Sequence, residues 1–239
     1  MTQLLHSSVL DSALHTLEAK AGGLFIFAKL LQDQLKAQAK VGAINFSSLG
    51  DLPSGLDGIY ASNFRRIFPT EVQWSSCKAV VAMIVVAREP LPADIVERIL
   101  GVRYSNTCAA MSLLFPVREG RFQVMHKSVV DWLRDPKRSG QLHCVEQKDL
   151  DAAHRQLATQ LLSQSRQLSN ASEAIKSSEL FSLRHAVVHL VEADMIASAT
   201  ELLLDFQWLL LRAKVRQAEG LLQDGELVSN NIPKGHSVV

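Results

Sequence analysis

The sequence predicts a mostly α-helical protein with one small β-hairpin. Apolar residues recur every three or four positions along most of the 239 residues, the spacing that gives a helix one buried face. One stretch, Phe115-Pro-Val-Arg-Glu-Gly-Arg-Phe-Gln-Val-Met125, instead alternates apolar with polar residues on either side of a Glu119-Gly120 turn, as two strands joined by a tight turn do. A hydrophobic fraction of 47% with 21% charged residues is that of an ordinary globular chain and argues against disorder over most of its length.

Leu10, Leu14 and Leu17 predict a helix over about residues 8–20, and Gly22-Gly23 breaks it. Residues 24–35 form a second helix, apolar nearly all round at its start and therefore buried. Residues 40–53, with Gly42, Gly50 and Pro53, read as a loop. Leu56, Ile59, Tyr60, Phe64 and Ile67 give a third helix that stops near Pro69.

A new unit is expected from about residue 70. Residues 74–87 read as a buried helix, and Arg88-Glu89-Pro90-Leu91-Pro92 as a rigid turn. Pro92 suits the first turn of a helix over 93–100, which Gly101 ends. Ser105 or Asn106 would cap a short helix through Leu114. The hairpin follows, and a closing helix over 127–134 ends before Pro136. Three helices, a hairpin and a closing helix are the order of a winged-helix domain, a relative of the helix-turn-helix.

Residues 137–148 read as a polar link, followed by a helix to Leu162 that carries Leu150, Leu157 and Leu161 on one side. The Ser/Gln-rich stretch 163–178 reads as loose. Helices over 180–191, 195–204 and 206–219 follow, in a stacked-pair packing. Residues 220–239, with Asn230, Asn231, Pro233 and Gly235, read as a disordered tail.

Composition and motifs exclude several functions. The 25 basic and 24 acidic residues leave a net charge of +1, far from the excess of a nucleic-acid binder. The helix ending at Leu114, which a DNA-reading winged helix would place in the groove, has no Lys or Arg between Ser105 and Leu114. A stand-alone nucleic-acid-binding winged helix is therefore the alternative reading, not the leading one. Cys77, Cys108 and Cys144 are odd in number and form no Cys-x-x-Cys pair, as isolated thiols in a reducing cytosol do. The longest apolar run, residues 79–87, falls far short of the ~20 residues that span a bilayer. The N-terminus has no basic flank followed by an apolar run. The expectation is a cytoplasmic protein without membrane contact.

No Gly-Lys-Ser/Thr occurs in the chain, so it has no loop of backbone N–H groups and lysine to cradle phosphates. No Gly-x-Ser-x-Gly turn supports a hydrolase. His185, His189 and Glu192 fall at i, i+4 and i+7, a spacing at which two histidines can share zinc. Ala186 stands where a His-Glu-x-x-His site needs its glutamate, and Arg184 would repel a cation, so these residues read as half-buried members of a helical stack. No metal site and no enzymatic activity are expected. Trp74, Trp132 and Trp208 read as core anchors.

Five segments in order carry a family resemblance. They are Gly23-Leu-Phe-Ile-Phe-Ala28, Leu52-Pro-Ser-Gly-Leu-Asp-Gly-Ile-Tyr60, Ala87-Arg-Glu-Pro-Leu-Pro92, Val124-Met-His-Lys-Ser-Val-Val-Asp-Trp-Leu133 and Leu183-Arg-His-Ala-Val-Val-His-Leu190. Together they resemble the region after the NTPase core of STAND-type signalling NTPases, and most closely that of NACHT proteins with C-terminal repeats. The resemblance implies four parts: residues 1–69 as the end of a NACHT NTPase module, 70–136 as the winged-helix domain, 149–219 as a helical linker and 220–239 as the tail.

It also implies a non-catalytic regulatory or scaffold role in signal transduction, through nucleotide-dependent intramolecular or protein–protein contacts. The expected partners are a NACHT parent or a second copy of the chain. ADP or ATP would be a cofactor only of a complete parent protein. Met125 and His126 match the Met-His-Asp motif of related apoptosome and plant resistance NTPases, with Lys127 replacing the Asp. That match implies that His126 reaches the phosphate of ADP when an NTPase core is present. The other reading is that His126 caps the closing helix or bonds to backbone. Phe25 stands where the plant relatives carry a proline that touches adenine.

Overall fold

The computed structural model describes residues 2–42, 53–101, 109–168 and 175–232. Among them the chain is mostly helical, with twelve α-helices and one small antiparallel sheet. It packs as two units, one of Met1–Trp74 with His126–Cys144 and the other of Ser75–Met125 with Val145–Val239.

The first unit holds α1 (Thr2–Ala21), α2 (Phe25–Val41), α3 (Gly55–Ile67), α6 (Lys127–Arg134) and α7 (Pro136–His143), with Trp74 from the first turn of α4 (Glu71–Val86). Gly22 and Gly23, at φ 54° and 76°, turn the chain between α1 and α2 in a backbone region that side chains resist. Aromatic rings fill the centre. Phe64 lies 5.0 Å from Trp132 and 5.8 Å from Trp74, centroid to centroid, and Tyr60 lies 5.9 Å from Trp132. These tilted and edge-on pairings are the ones aromatic quadrupoles favour. On the surface, Arg138 grips both oxygens of Asp57 at 3.1 and 3.0 Å through Nε and ties α7 to α3.

The second unit begins with the rest of α4. It continues through β1 (Leu91–Pro92), α5 (Ala93–Leu100), a 3₁₀ turn (Ala109–Leu113), β2 (Val117–Arg118) and β3 (Arg121–Phe122). The strands pair antiparallel in the order β1-β3-β2, with Leu91 opposite Phe122 and Val117 opposite Phe122. Glu119 and Gly120 both have positive φ, 52° and 70°, the backbone that the tight primed hairpin turn requires. The unit then runs through α8 (Gln147–Leu168), α9 (Ser177–Glu192), α10 (Ile196–Leu204), α11 (Phe206–Lys214) and α12 (Glu219–Asn231). α8 packs on α9, and α10 and α12 pack on α9 in turn. Leu157, Leu161, Phe181, Leu183 and Leu190 are fully buried there.

Several expectations hold. The hairpin, the helix over 93–100 ended by left-handed Gly101, and the helix over 127–134 all lie where the sequence puts them. The three tryptophans are core residues, each at most 1% exposed. Others need correction. The polar link at 137–148 contains α7, two helical turns broken at Gly140 (φ 73°, ψ 167°), because Asp135 accepts a hydrogen bond from the Lys137 N–H at 2.9 Å and Pro136 occupies the first helical position. The helix expected over 206–219 ends at Lys214. The expected tail is helical through Asn231, with Val228 and Asp224 buried, so packing of α12 on α9 overrides two helix-weakening glycines. Part of the loose stretch, residues 163–168, extends α8.

The closing helix, placed by sequence in the 70–136 domain, clusters with the first unit. The loop expected at 40–53 is entered by α2, which runs to Val41, and its residues 43–52 lie outside the described residues. So do residues 105–108 of the helix expected through Leu114, whose described part is the 3₁₀ turn Ala109–Leu113, the stretch 169–174 and the tail beyond residue 232. No helix among the described residues is long and apolar enough to cross a membrane.

Candidate functional site

His126 sits in the first unit as the N-cap of α6, exposed to solvent. An N-cap must satisfy backbone N–H groups that the first helical turn leaves without partners. Here the imidazole does so. Nδ1 accepts from the Ser128 N–H at 3.2 Å, and the Val129 N–H donates to the His126 carbonyl at 3.1 Å.

Ser128 Oγ lies 2.6 Å from His126 Nδ1 and 2.7 Å from the Tyr60 hydroxyl. With Nδ1 accepting, the neutral ring carries its proton on Nε2. Ser128 then donates to Nδ1, and Tyr60 donates to Ser128. Burial is the main force raising the Tyr60 pKa, so the phenol stays protonated and able to donate. The chain of bonds fixes the ring plane and leaves Nε2–H as the donor available to a ligand oxygen.

Sequence reasoning singled out His126 but not its supports. Tyr60 and Ser128 each lie in one of the five quoted segments, yet they are 68 residues apart, and no local pattern reveals that they meet. Met125, the neighbour of His126 in the matched motif, donates its N–H to the Leu114 carbonyl at 3.0 Å in the second unit.

A second feature of the first unit is apolar. α1 and α2 border a groove of about 660 Å³ lined by Leu14, Leu17, Leu24, Phe25, Leu31 and Leu35, among others. Phe25 is 84% exposed, Leu14 55% and Leu24 43%, while Phe27 in the same segment is fully buried. The Gly-Leu-Phe-Ile-Phe-Ala segment thus anchors α2 with one phenylalanine and presents the other to solvent.

The histidines of α9 have other partners. His185 Nε2 lies 3.3 Å from Glu89, which Arg184 also holds. Burial pushes the His185 pKa down, and the Glu89 carboxylate opposes that shift only in part. His189 is fully buried with its Nδ1 3.0 Å from Nδ1 of His154, so one ring donates and the other accepts. Burial, with the neighbouring His154 and His185, pushes the His189 pKa down to about 3. Glu192 pairs with Arg88 at 3.3 Å. The three residues of the i, i+4, i+7 face therefore engage three separate partners. Among the described residues no group of three or more His, Cys, Asp or Glu is placed to hold a metal ion.

No protein-family model, curated protein or solved structure matches this chain.

Proposed function

We propose that the chain is a non-catalytic regulatory and scaffold portion of a NACHT-type signalling NTPase, working through contacts with an NTPase core or another protein in the cytoplasm. The α1–α2 groove carries this reading. Contiguous exposed apolar surface in a folded protein marks a place where another protein docks, and an 84% exposed Phe25 beside Leu24 and Leu14 is such a surface. The groove is built from the segment that resembles the end of the NTPase module.

Two further observations agree. The strand order β1-β3-β2, with β1 between two helices and β2–β3 as a hairpin, suits a winged helix. The geometry of His126, with Nδ1 tied to Ser128 and Nε2–H left to donate, suits a hydrogen bond to a phosphate oxygen of ADP held by a core in trans. ADP would favour the state in which the core and this chain are docked, and exchange for ATP would release it, a shift in population set by contacts made in only one state.

The experiment is a binding measurement between the chain and a NACHT NTPase module with ADP or ATP. Tighter association with ADP is expected. Phe25→Glu should weaken it with either nucleotide, and His126→Asn should remove only the ADP preference. Equal binding by wild type and Phe25→Glu would overturn the reading.

A further inference from the structure

In the second unit, α11 ends in a turn that places an arginine where glycine is favoured. The Gln217 N–H donates to the Arg212 carbonyl at 2.9 Å and the Arg216 N–H to the Ala213 carbonyl at 3.1 Å. This is the Schellman pattern, which puts Arg216 in the left-handed region at φ 59°. A side chain there costs free energy that glycine avoids, and such costs concentrate at functional positions.

The Arg216 side chain lines a cleft of about 580 Å³ together with Arg88, Arg184 and Arg212. Glu219 and Asp224 are the carboxylates in the same lining. Each guanidinium but one is already held. Glu192 holds Arg88 at 3.3 Å and Glu89 holds Arg184. Arg212 is 1% exposed, pairs with Asp224, donates to the Gln217 carbonyl at 3.3 Å and packs over the Trp208 ring at 4.9 Å. Its buried Nε has no hydrogen-bond partner among the described residues. Gly220 makes room for this arginine, since a Cβ there would lie 2.6 Å from Arg212 Nη2. Among the described residues Arg216 is exposed and makes no ion pair, whereas the other three arginines each do.

A guanidinium is a planar fork whose geometry phosphate oxygens match, and with the other three paired to carboxylates Arg216 is the fork left for an oxygen anion. The volume is that of a small-molecule pocket. We propose that this cleft binds the phosphate group of a small phosphorylated molecule, with Arg216 as a direct contact and the other three arginines shaping the floor and walls.

Calorimetric titration of the full chain with inorganic phosphate and with pyrophosphate, at constant ionic strength set by chloride, tests this. Saturable one-site binding is expected. Arg216→Gly relieves the left-handed strain, so its melting temperature should equal or exceed that of wild type while its phosphate affinity falls by about tenfold or more. Arg216→Lys, which keeps charge but not the fork, should fall in between. Unchanged affinity in Arg216→Gly would overturn the proposal. So would an equal affinity for chloride titrated alone, or binding of a phosphoserine peptide without binding of either free anion.

Discussion

An imidazole at a helix N-cap does a task usually given to Ser, Thr, Asp or Asn. At His126 it is feasible because Ser128, two residues on, offers both its N–H and its hydroxyl to Nδ1. Removing the cap in His126→Ala should cost about 1 kcal/mol by chemical denaturation, and His126→Asn should restore most of it. The pair separates a cap from a ligand contact, since Asn caps without placing a donor where Nε2–H stands. Buried histidines set a pH dependence. Burial holds the pKa values of His143, His185 and His189 below the unfolded value, with His189 at about 3. The folded chain therefore binds fewer protons than the unfolded chain below about pH 6.5, and stability present above that pH is lost as pH falls. His189 alone should cost about 2 kcal/mol between pH 7 and pH 5. Urea midpoints at the two values would check this, and His189→Asn should flatten the slope.

Elements with strong local punctuation were legible in the sequence, and those held by distant contacts were not. The hairpin was readable because Glu119-Gly120 sits between two alternating strands, and Gly120→Ala should destabilise by about 1 kcal/mol because φ 70° strains a side chain. The 93–100 helix was readable because Pro92 precedes it and Gly101 ends it. α7 was missed although Asp135-Pro136 is a start signal, because the polar residues that follow hid it. α12 was missed because its composition reads as tail, and its stability comes from a buried Asp224–Arg212 pair twelve residues apart and from packing on α9. His126 could be singled out from sequence as a possible cap of the closing helix, which it is, whereas Tyr60 and the apolar groove depend on how α1, α2, α3 and α6 come together. The aromatic centre of the first unit should be the most sensitive packing site. Trp132→Ala, at a fully buried position, should cost about 3–5 kcal/mol in thermal or chemical unfolding.

At the scale of the whole molecule, two packed units each carry a feature that suits contact with something else. The first presents an apolar groove and a histidine whose ring is fixed by its neighbours. The second presents an arginine-lined cleft. The sequence contains no Gly-Lys-Ser/Thr, the loop with which a P-loop NTPase cradles triphosphate. Under the proposed function, switching and assembly belong to this chain and phosphoryl chemistry to another module. Steady-state ATP hydrolysis by the purified chain tests that division most directly. The expected rate is no higher than the buffer background for wild type and for His126→Ala alike; turnover by the wild-type chain that falls when His126 is replaced would contradict the proposed function.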